Sequence, residues 1–237
     1  MAYFITGGTG FIGRNFIDKL KGREGDIYVL TRRGSEAKFE DLQERFGQGN
    51  ERLIPVTGDL AEKNLGIDVA VIEELKGKVQ HFCHFAAIYD IAASLEVQQI
   101  ANIDGTRNAV NLAGTLNAGC FQHVSSIAAG GLYKGTFRED MFEEAENYEH
   151  PYFSTKHDSE GIVRNECQVP FRIYRPAMVV GNSVTGEIDK IDGAYYFFKS
   201  LQKIRNVLPP WFPLVGLEGG KFNIVPVDYV VDAMDHI

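Results

Sequence analysis

Gly7-Gly8-Thr9-Gly10-Phe11-Ile12-Gly13 decides how this chain is read. A short apolar run, Tyr3-Phe4-Ile5-Thr6, leads into it, and behind it Phe11, Ile12, Phe16, Ile17 and Leu20 recur at helical spacing. Glycines at 7, 10 and 13 leave room for a tight turn, for a pyrophosphate laid against the backbone, and for close packing of helix on strand. The helix that follows turns its free N–H groups and the positive end of its dipole toward that phosphate. A glycine motif by itself is weak; a strand before it and a helix after it give it meaning.

Working outward, further apolar runs occur at Ile27–Leu30, Leu53–Val56, Val79–Ala87, Cys120–Ser125 and Phe171–Tyr174. Helical patterns lie between them, around residues 35–46, 67–76, 98–117 and 152–166. Short apolar strands alternating with helices predict a parallel sheet covered on both faces, a doubly wound α/β architecture with right-handed crossovers. After Gly181 the pattern changes. Residues 182–222 are rich in aromatics, prolines and glycines, among them Tyr195, Tyr196, Phe197, Phe198, Trp211, Phe212, Leu214 and Val215. The expected organisation is a dinucleotide-binding domain carrying the catalytic residues over 1–181, a small substrate-binding segment over 182–222, and a return to the sheet over 223–237. The chain stops at Asp235-His236-Ile237, inside an amphipathic pattern begun near Asp228 and without a C-cap, so a truncated chain is expected.

The 237 residues suffice for one large domain, and 44% hydrophobic with 24% charged is ordinary for a folded soluble protein. The net charge of −8 argues against nucleic acid, which needs a basic face to displace counterions. No apolar run approaches the ~20 residues of a membrane span, and the N-terminus lacks a basic region and a cleavage site. Cys83, Cys120 and Cys167 are odd in number, widely spaced and set in apolar surroundings, which fits reduced thiols in a cytoplasmic protein. His81 and His84 are three apart in a strand, face opposite sides and cannot clamp one metal, and no metal site is expected.

Cofactor choice is read at the end of the second strand. A free ribose 2′-OH is usually met there by an acid, ~20 residues after the glycine loop. Here the position holds Thr31, followed by Arg32 and Arg33. A guanidinium offers a fixed charge and a planar fork of donors to a 2′-phosphate, so NADP(H) is favoured over NAD(H).

The motifs Gly7–Gly13, Gly58-Asp59-Leu60, His84-Phe85-Ala86-Ala87, Asn102–Thr106, Val124-Ser125-Ser126, Tyr152-Phe153-Ser154-Thr155-Lys156 and Arg175-Pro176 together resemble the extended short-chain dehydrogenase/reductase family, a Rossmann-type fold. Within it the chain is similar to the N-terminal domain of bacterial two-domain, alcohol-forming fatty acyl-CoA reductases. That closer similarity is carried by His84–Asp90, Ser125–Ala129, Phe137–Phe142 and Gly193–Lys199. The resemblance implies that Gly7, Thr9, Gly10, Phe11, Ile12 and Gly13 hold the cofactor phosphates. It also implies that Asp59 and Leu60 meet the adenine, that Ala86 and Ala87 lie along the ribose, that Asn102 braces the active-site helix, and that Pro176 to Val179 approach the nicotinamide amide. A second reductase domain in the full-length protein is implied as well; homo-oligomerisation is left open.

Tyr152 and Lys156 are four apart on a helix and share one face. A phenol has an ordinary pKa of ~10, and a nearby ammonium is expected to pull it down. Tyr152 can then give a proton to a carbonyl oxygen as hydride arrives. Lys156 would also hydrogen-bond the nicotinamide ribose, as the resemblance implies. Ser126, four residues before Gly130, matches the family's substrate-oxygen donor; Ser125 stays the alternative. The expected activity is NADPH-dependent reduction of a fatty aldehyde, a fatty acyl-CoA or both, small molecules with an apolar chain. Two rivals share the fold: a nucleotide-sugar epimerase or dehydratase, and a non-catalytic NADP-binding regulator. Thr31-Arg32-Arg33 speaks against the first, and the presence of Tyr152 with Lys156 against the second.

Overall fold

The structure is a computed structural model, and it describes residues 1–88, 93–189, 194–209 and 223–237, with side chains left undescribed at 194, 196–198 and 201. Tyr89, Asp90, Gly193, Trp211, Phe212, Leu214 and Val215, named above, lie outside the described residues, and so do the side chains of Tyr196, Phe197 and Phe198.

Six apolar segments form strands: β1 Ala2–Thr6, β2 Asp26–Thr31, β3 Leu53–Thr57, β4 Val79–His84, β5 Cys120–Val124 and β6 Phe171–Tyr174. They make one parallel sheet in the order β3-β2-β1-β4-β5-β6, the doubly wound arrangement expected from the alternation. The helices between them are α1 Phe11–Lys19, α2 Glu36–Phe46, α3 Val69–Leu75, α4 Leu95–Gln98, α5 Gly105–Thr115 and α6 Pro151–Glu166. In place of one helix over 98–117 the chain runs from α4 through a π-helical stretch, Gln99–Asp104, into α5. Such wide turns displace one residue's hydrogen bond and recur at functional sites.

Two cores hold the layers together. On one face Phe4, Phe82 and Phe121 stack across β1, β4 and β5 at 4.8 and 5.3 Å, beneath Ile72, Leu112, Ile162 and Val163. On the other, Ile5, Ile27 and Val29 pack against Phe16, Ile17, Leu42, Val230 and Val231. Each such side chain, fully buried, contributes about 1.5–3 kcal/mol of transfer free energy.

Beyond β6 come β7 Met178–Val180, α7 Ala194–Val207, β8 Ile224–Pro226 and α8 Val227–His236. The expected return to the main sheet over 223–237 is corrected: its one strand, β8, pairs with β7, Val179 opposite Val225, in a separate two-stranded parallel sheet. Pro176 has no N–H to extend the ladder, so the chain leaves the main sheet before β7 begins. α8 still rejoins the body, because Val227, Val230, Val231 and Met234 bury themselves in the core under α1. Residues 182–189 lie between these parts. Ser183 donates to Asp228 at the start of α8 (2.6 Å), while Glu187 accepts from Arg45 of α2 (2.5 Å) and, with Asp189, pairs with Arg14 of α1.

Candidate active site

Because the strands are parallel, the segments that follow β1 to β6 all emerge at one edge of the sheet. Strand order reverses between β1 and β4, and a crevice opens there outside the carboxyl ends of strands. Gly7–Gly13, Arg32-Arg33, Asp59-Leu60, Ala86-Ala87, Ser125-Ser126 and Pro176 all lie just past those ends.

The β1 side of the crevice is backbone. Gly10 N–H donates to Gly7 O at 3.0 Å and closes the turn, while Gly7 adopts φ +70°, a conformation that favours glycine. A Cβ on Gly13 would lie 2.2 Å from Gly7 O, and one on Gly7 would lie 2.5 Å from Ala86 N, so helix, loop and β4 are in direct backbone contact. At Gly10 the only atom of the described residues within reach of a Cβ is Gly7 O at 3.2 Å, so a side chain there would extend into the space before the helix. This cradle fits a dinucleotide pyrophosphate on the N-terminus of α1. Thr9, Phe11 and Ile12 are neither fully buried nor fully exposed along it.

Arg32 and Arg33 stand exposed directly after β2. Asp59 is held by its own N–H to Leu65 O (2.7 Å) and by Ala61 N–H to its Oδ1 (2.9 Å). Leu60 O accepts from Asn108 of α5 at 2.9 Å. Asn64 and Leu65 both have positive φ beside this loop, a backbone cost of the kind that functional loops retain. Ala86 N–H reaches Thr6 Oγ1 at 3.4 Å, and Ala87 is half-buried next to it.

The β5–β6 side is made of side chains. Ser126 caps a short turn, Ile127–Gly130, its Oγ accepting from Ala128 N–H at 3.1 Å. The same hydroxyl is the group that acts on the Tyr152 phenol against the effect of its burial. Tyr152 stands in the first turn of α6, whose start is set by Pro151 and by His150 accepting from Tyr152 N–H. Lys156 lies one turn further on and is buried, 5% exposed. Asn102, in the π-helical stretch, accepts from Ile88 N–H (2.8 Å) and donates to Ile88 O (3.0 Å) and to Thr155 Oγ1 (3.3 Å), tying the β4 loop to α6.

The two serines separate cleanly. Ser125 points away and donates to Glu160 at 2.8 Å, while Ser126 meets Tyr152. The expected effect of the ammonium on the phenol is corrected. Burial pushes the Tyr152 phenol above its usual range, and Ser126, not Lys156, is the group that opposes the rise. Burial pulls Lys156 down to about 8. Both His84 and His123 are held neutral, first by burial; the Lys156 charge adds to this for His84, and His84 and then Lys156 add to it for His123.

His84 accounts for both of its ring nitrogens, with Thr6 at 2.7 Å and Thr106 at 3.1 Å. His81 instead stacks on Tyr3 from the opposite face. Pro176 O accepts from Ile127 N–H at 3.1 Å, in the turn that Ser126 caps, and Val179 packs on the core beneath α1 and α8. The sequence reading passed over Glu160 and His123, and it named Arg175 only as part of a motif, with no role. Glu160 could have been found as the third member of a Tyr152, Lys156, Glu160 row at i, i+4 and i+8.

The family of NAD-binding domains described as "Male sterility protein" matches residues 5–234. The fatty acyl-CoA reductase wat of Drosophila melanogaster is 28% identical over 98% of this chain and 52% of its own length. The non-canonical nonribosomal peptide synthetase hkm10 of Aspergillus hancockii is 28% identical over 99% of this chain, but the chain spans only 24% of that protein. Among solved structures, the terminal R domain from the myxalamid PKS-NRPS biosynthetic pathway superposes with a TM-score of 0.81 at 25% identity, over 99% of this chain and 61% of that one. With its parallel sheet, its glycine cradle and its Ser126, Tyr152 and Lys156 on one edge, the chain belongs to the Male sterility protein family, oxidoreductases of the extended short-chain dehydrogenase/reductase type.

Proposed function

We propose that the protein is an NADPH-dependent reductase of fatty aldehyde, fatty acyl-CoA or both. The observation that carries this reading is the placement of Ser126 after β5, of Tyr152 in the first turn of α6 and of buried Lys156 one turn along it, on the same sheet edge as the glycine cradle. The names of the relatives support the substrate class.

In this reading the bound cofactor supplies hydride, and the protein's residues do the rest. Gly7, Gly10 and Gly13 let the pyrophosphate approach the backbone at α1. Arg32 and Arg33 supply charge for a ribose 2′-phosphate. Ser126 holds the substrate carbonyl oxygen. Tyr152, kept protonated by its burial, gives its proton to that oxygen; a fixed donor at developing oxyanion charge is worth about 2.7–4 kcal/mol. Lys156 holds the ribose and a positive charge behind the phenol. Direct hydride attack on a thioester needs no protein nucleophile. Cys83 is fully buried, with its thiol pushed up by burial, and Cys120 and Cys167 are raised in the same direction, so no described cysteine is prepared as one.

A second reading, reduction of a thioester held on a synthetase, is favoured by the likeness to the myxalamid terminal R domain. Both readings share the carbonyl chemistry and differ in what carries the acyl group.

The test is NADPH oxidation with acyl-CoA and aldehyde series. Each methylene buried in an apolar groove is worth up to ~0.8 kcal/mol, so decanoyl and longer substrates should exceed butanoyl by roughly tenfold or more in kcat/KM. A flat chain-length profile, or tight binding of a UDP-sugar indifferent to acyl chains, would overturn the reading.

A further inference from the structure

We infer that Glu160, acting through Ser125, is a positioning residue for the Ser126–Tyr152 pair, an inference that rests on the reductase reading of that pair. Glu160 lies on α6 one turn beyond Lys156 and two beyond Tyr152, is fully buried, and is the meeting point of four separate parts of the site. Its carboxylate accepts from Ser125 Oγ at the end of β5 (2.8 Å), from Arg175 at the end of β6 (2.6 Å from Nη2, 3.0 Å from Nε) and from Arg164 one turn on (2.9 Å).

Arg175 carries the network outward. It donates to Met141 O at 2.8 Å and Arg138 O at 3.2 Å, and its guanidinium lies 5.1 Å from the centre of the Phe137 ring. Phe137 in turn fills the space beside Gly130, where a Cβ would come within 2.8 Å of the ring. Gly130 ends the turn that Ser126 caps. One carboxylate thus joins α6, both strand ends and the floor of the catalytic turn.

A buried carboxylate is costly in desolvation, and well-packed apolar residues could hold these elements together as firmly. What the charge adds is direction. Ser125 and Ser126 are adjacent; with the Ser125 hydroxyl drawn onto Glu160, the backbone that presents the Ser126 hydroxyl to Tyr152 is held in place. Because Tyr152 and Glu160 share one rigid helix, the carboxylate that holds Ser125 travels with the phenol that Ser126 must meet. Two guanidiniums keep Glu160 ionised, so it remains an acceptor for Ser125.

Ser125→Ala removes this link while leaving the Glu160–Arg175–Arg164 pairs in place, so the variant should fold; Ser125→Thr keeps the hydroxyl. Two readouts apply: the ionisation of Tyr152, followed by tyrosinate absorbance against a Tyr152→Phe reference, and kcat and the KM for NADPH measured separately. Ser125→Ala should raise the phenol's titration by about half a unit or more, because Ser126 loosens its hold. It should also lower kcat by roughly tenfold while the KM for NADPH stays within about twofold. Ser125→Thr should stay close to the parent. In the Ser125→Ala/Glu160→Gln pair, a shift no larger than that of the stronger single variant shows a shared path; additive shifts overturn it. Unchanged titration and kcat in Ser125→Ala, or an equal loss in Ser125→Thr, would also overturn it. Failure of the parent to reduce any acyl substrate would sink the reductase reading instead, and the Tyr152 titration would still decide the positioning.

Discussion

At the β1 end of the crevice the protein presents backbone: three glycines, a helix N-terminus and Ala86, with no charged side chain inside the loop Gly7–Gly13. At the β5–β6 end it presents buried side chains: Lys156, Glu160, His84 and His123 all lie beneath the surface within two strands and one helix. In the proposed reading the first end takes the cofactor by making room for it, and its fixed amide dipoles need no titratable group. In that reading the second end moves a proton, which requires ionisable groups whose protonation is set by burial and neighbours. A steric site is ruined by adding a methyl; a titrating site is ruined or retuned by removing a hydroxyl or a charge.

The sharpest break is Tyr152→Phe, which removes one oxygen from the titrating end. Turnover should fall by ~10²-fold or more while NADPH affinity, set largely at the other end, changes little; stopped-flow binding alongside steady-state rates checks both. Retained turnover would remove Tyr152 from the chemistry.

The next effect is in pH. Because Lys156 is pulled down to about 8, kcat/KM, which reports the free enzyme, should fall as pH rises through about 8 and the ammonium is lost. Tyr152, pushed up, stays protonated across that window and does not set the limb. Lys156→Arg should move the limb upward, and a profile flat through that region would refute the assignment. Stability carries the same signature with the opposite slope. From about 8 to the ordinary 10.5 the unfolded chain holds a proton on Lys156 that the folded chain does not, so stability from this group rises with pH.

At the steric end the expected preference for NADPH over NADH is about tenfold, or 1.4 kcal/mol, and replacing Arg32 and Arg33 with alanine should shrink it through binding alone. Equal use of NADH by the unmutated protein would sink it. The smallest effect belongs to the segment 182–189, which bridges α1 and α2. Glu187→Gln breaks exposed pairs to Arg14 and Arg45 and should cost about 0.2–1 kcal/mol, less at high salt, as a shift in thermal midpoint.

The same contrast explains what could be read in advance. Glycine spacing, the Tyr152–Lys156 repeat and the alternation of strands with helices are local, so the doubly wound sheet and the candidate tyrosine were legible from residue types alone. Three features were not. The π-helical stretch at Asn102 depends on where Ile88 and Thr155 come to lie, far along the chain. The pairing of β8 with β7 depends on where the chain leaves β6. The direction of the Tyr152 shift depends on how much water the fold removes, and a helix face cannot show that.

The amino-acid sequence by itself determined the doubly wound sheet, the phosphate cradle and the candidacy of Ser126, Tyr152 and Lys156. Periodicity and glycine sterics act over neighbouring residues and survive without any knowledge of the fold. Only the tertiary structure decided that Ser125 bonds Glu160 while Ser126 acts on Tyr152, and that Lys156 lies buried with its ammonium pulled down by that burial. Those outcomes arise from hydrogen bonds and desolvation between residues distant in sequence, and such groups become neighbours only once the sheet has formed.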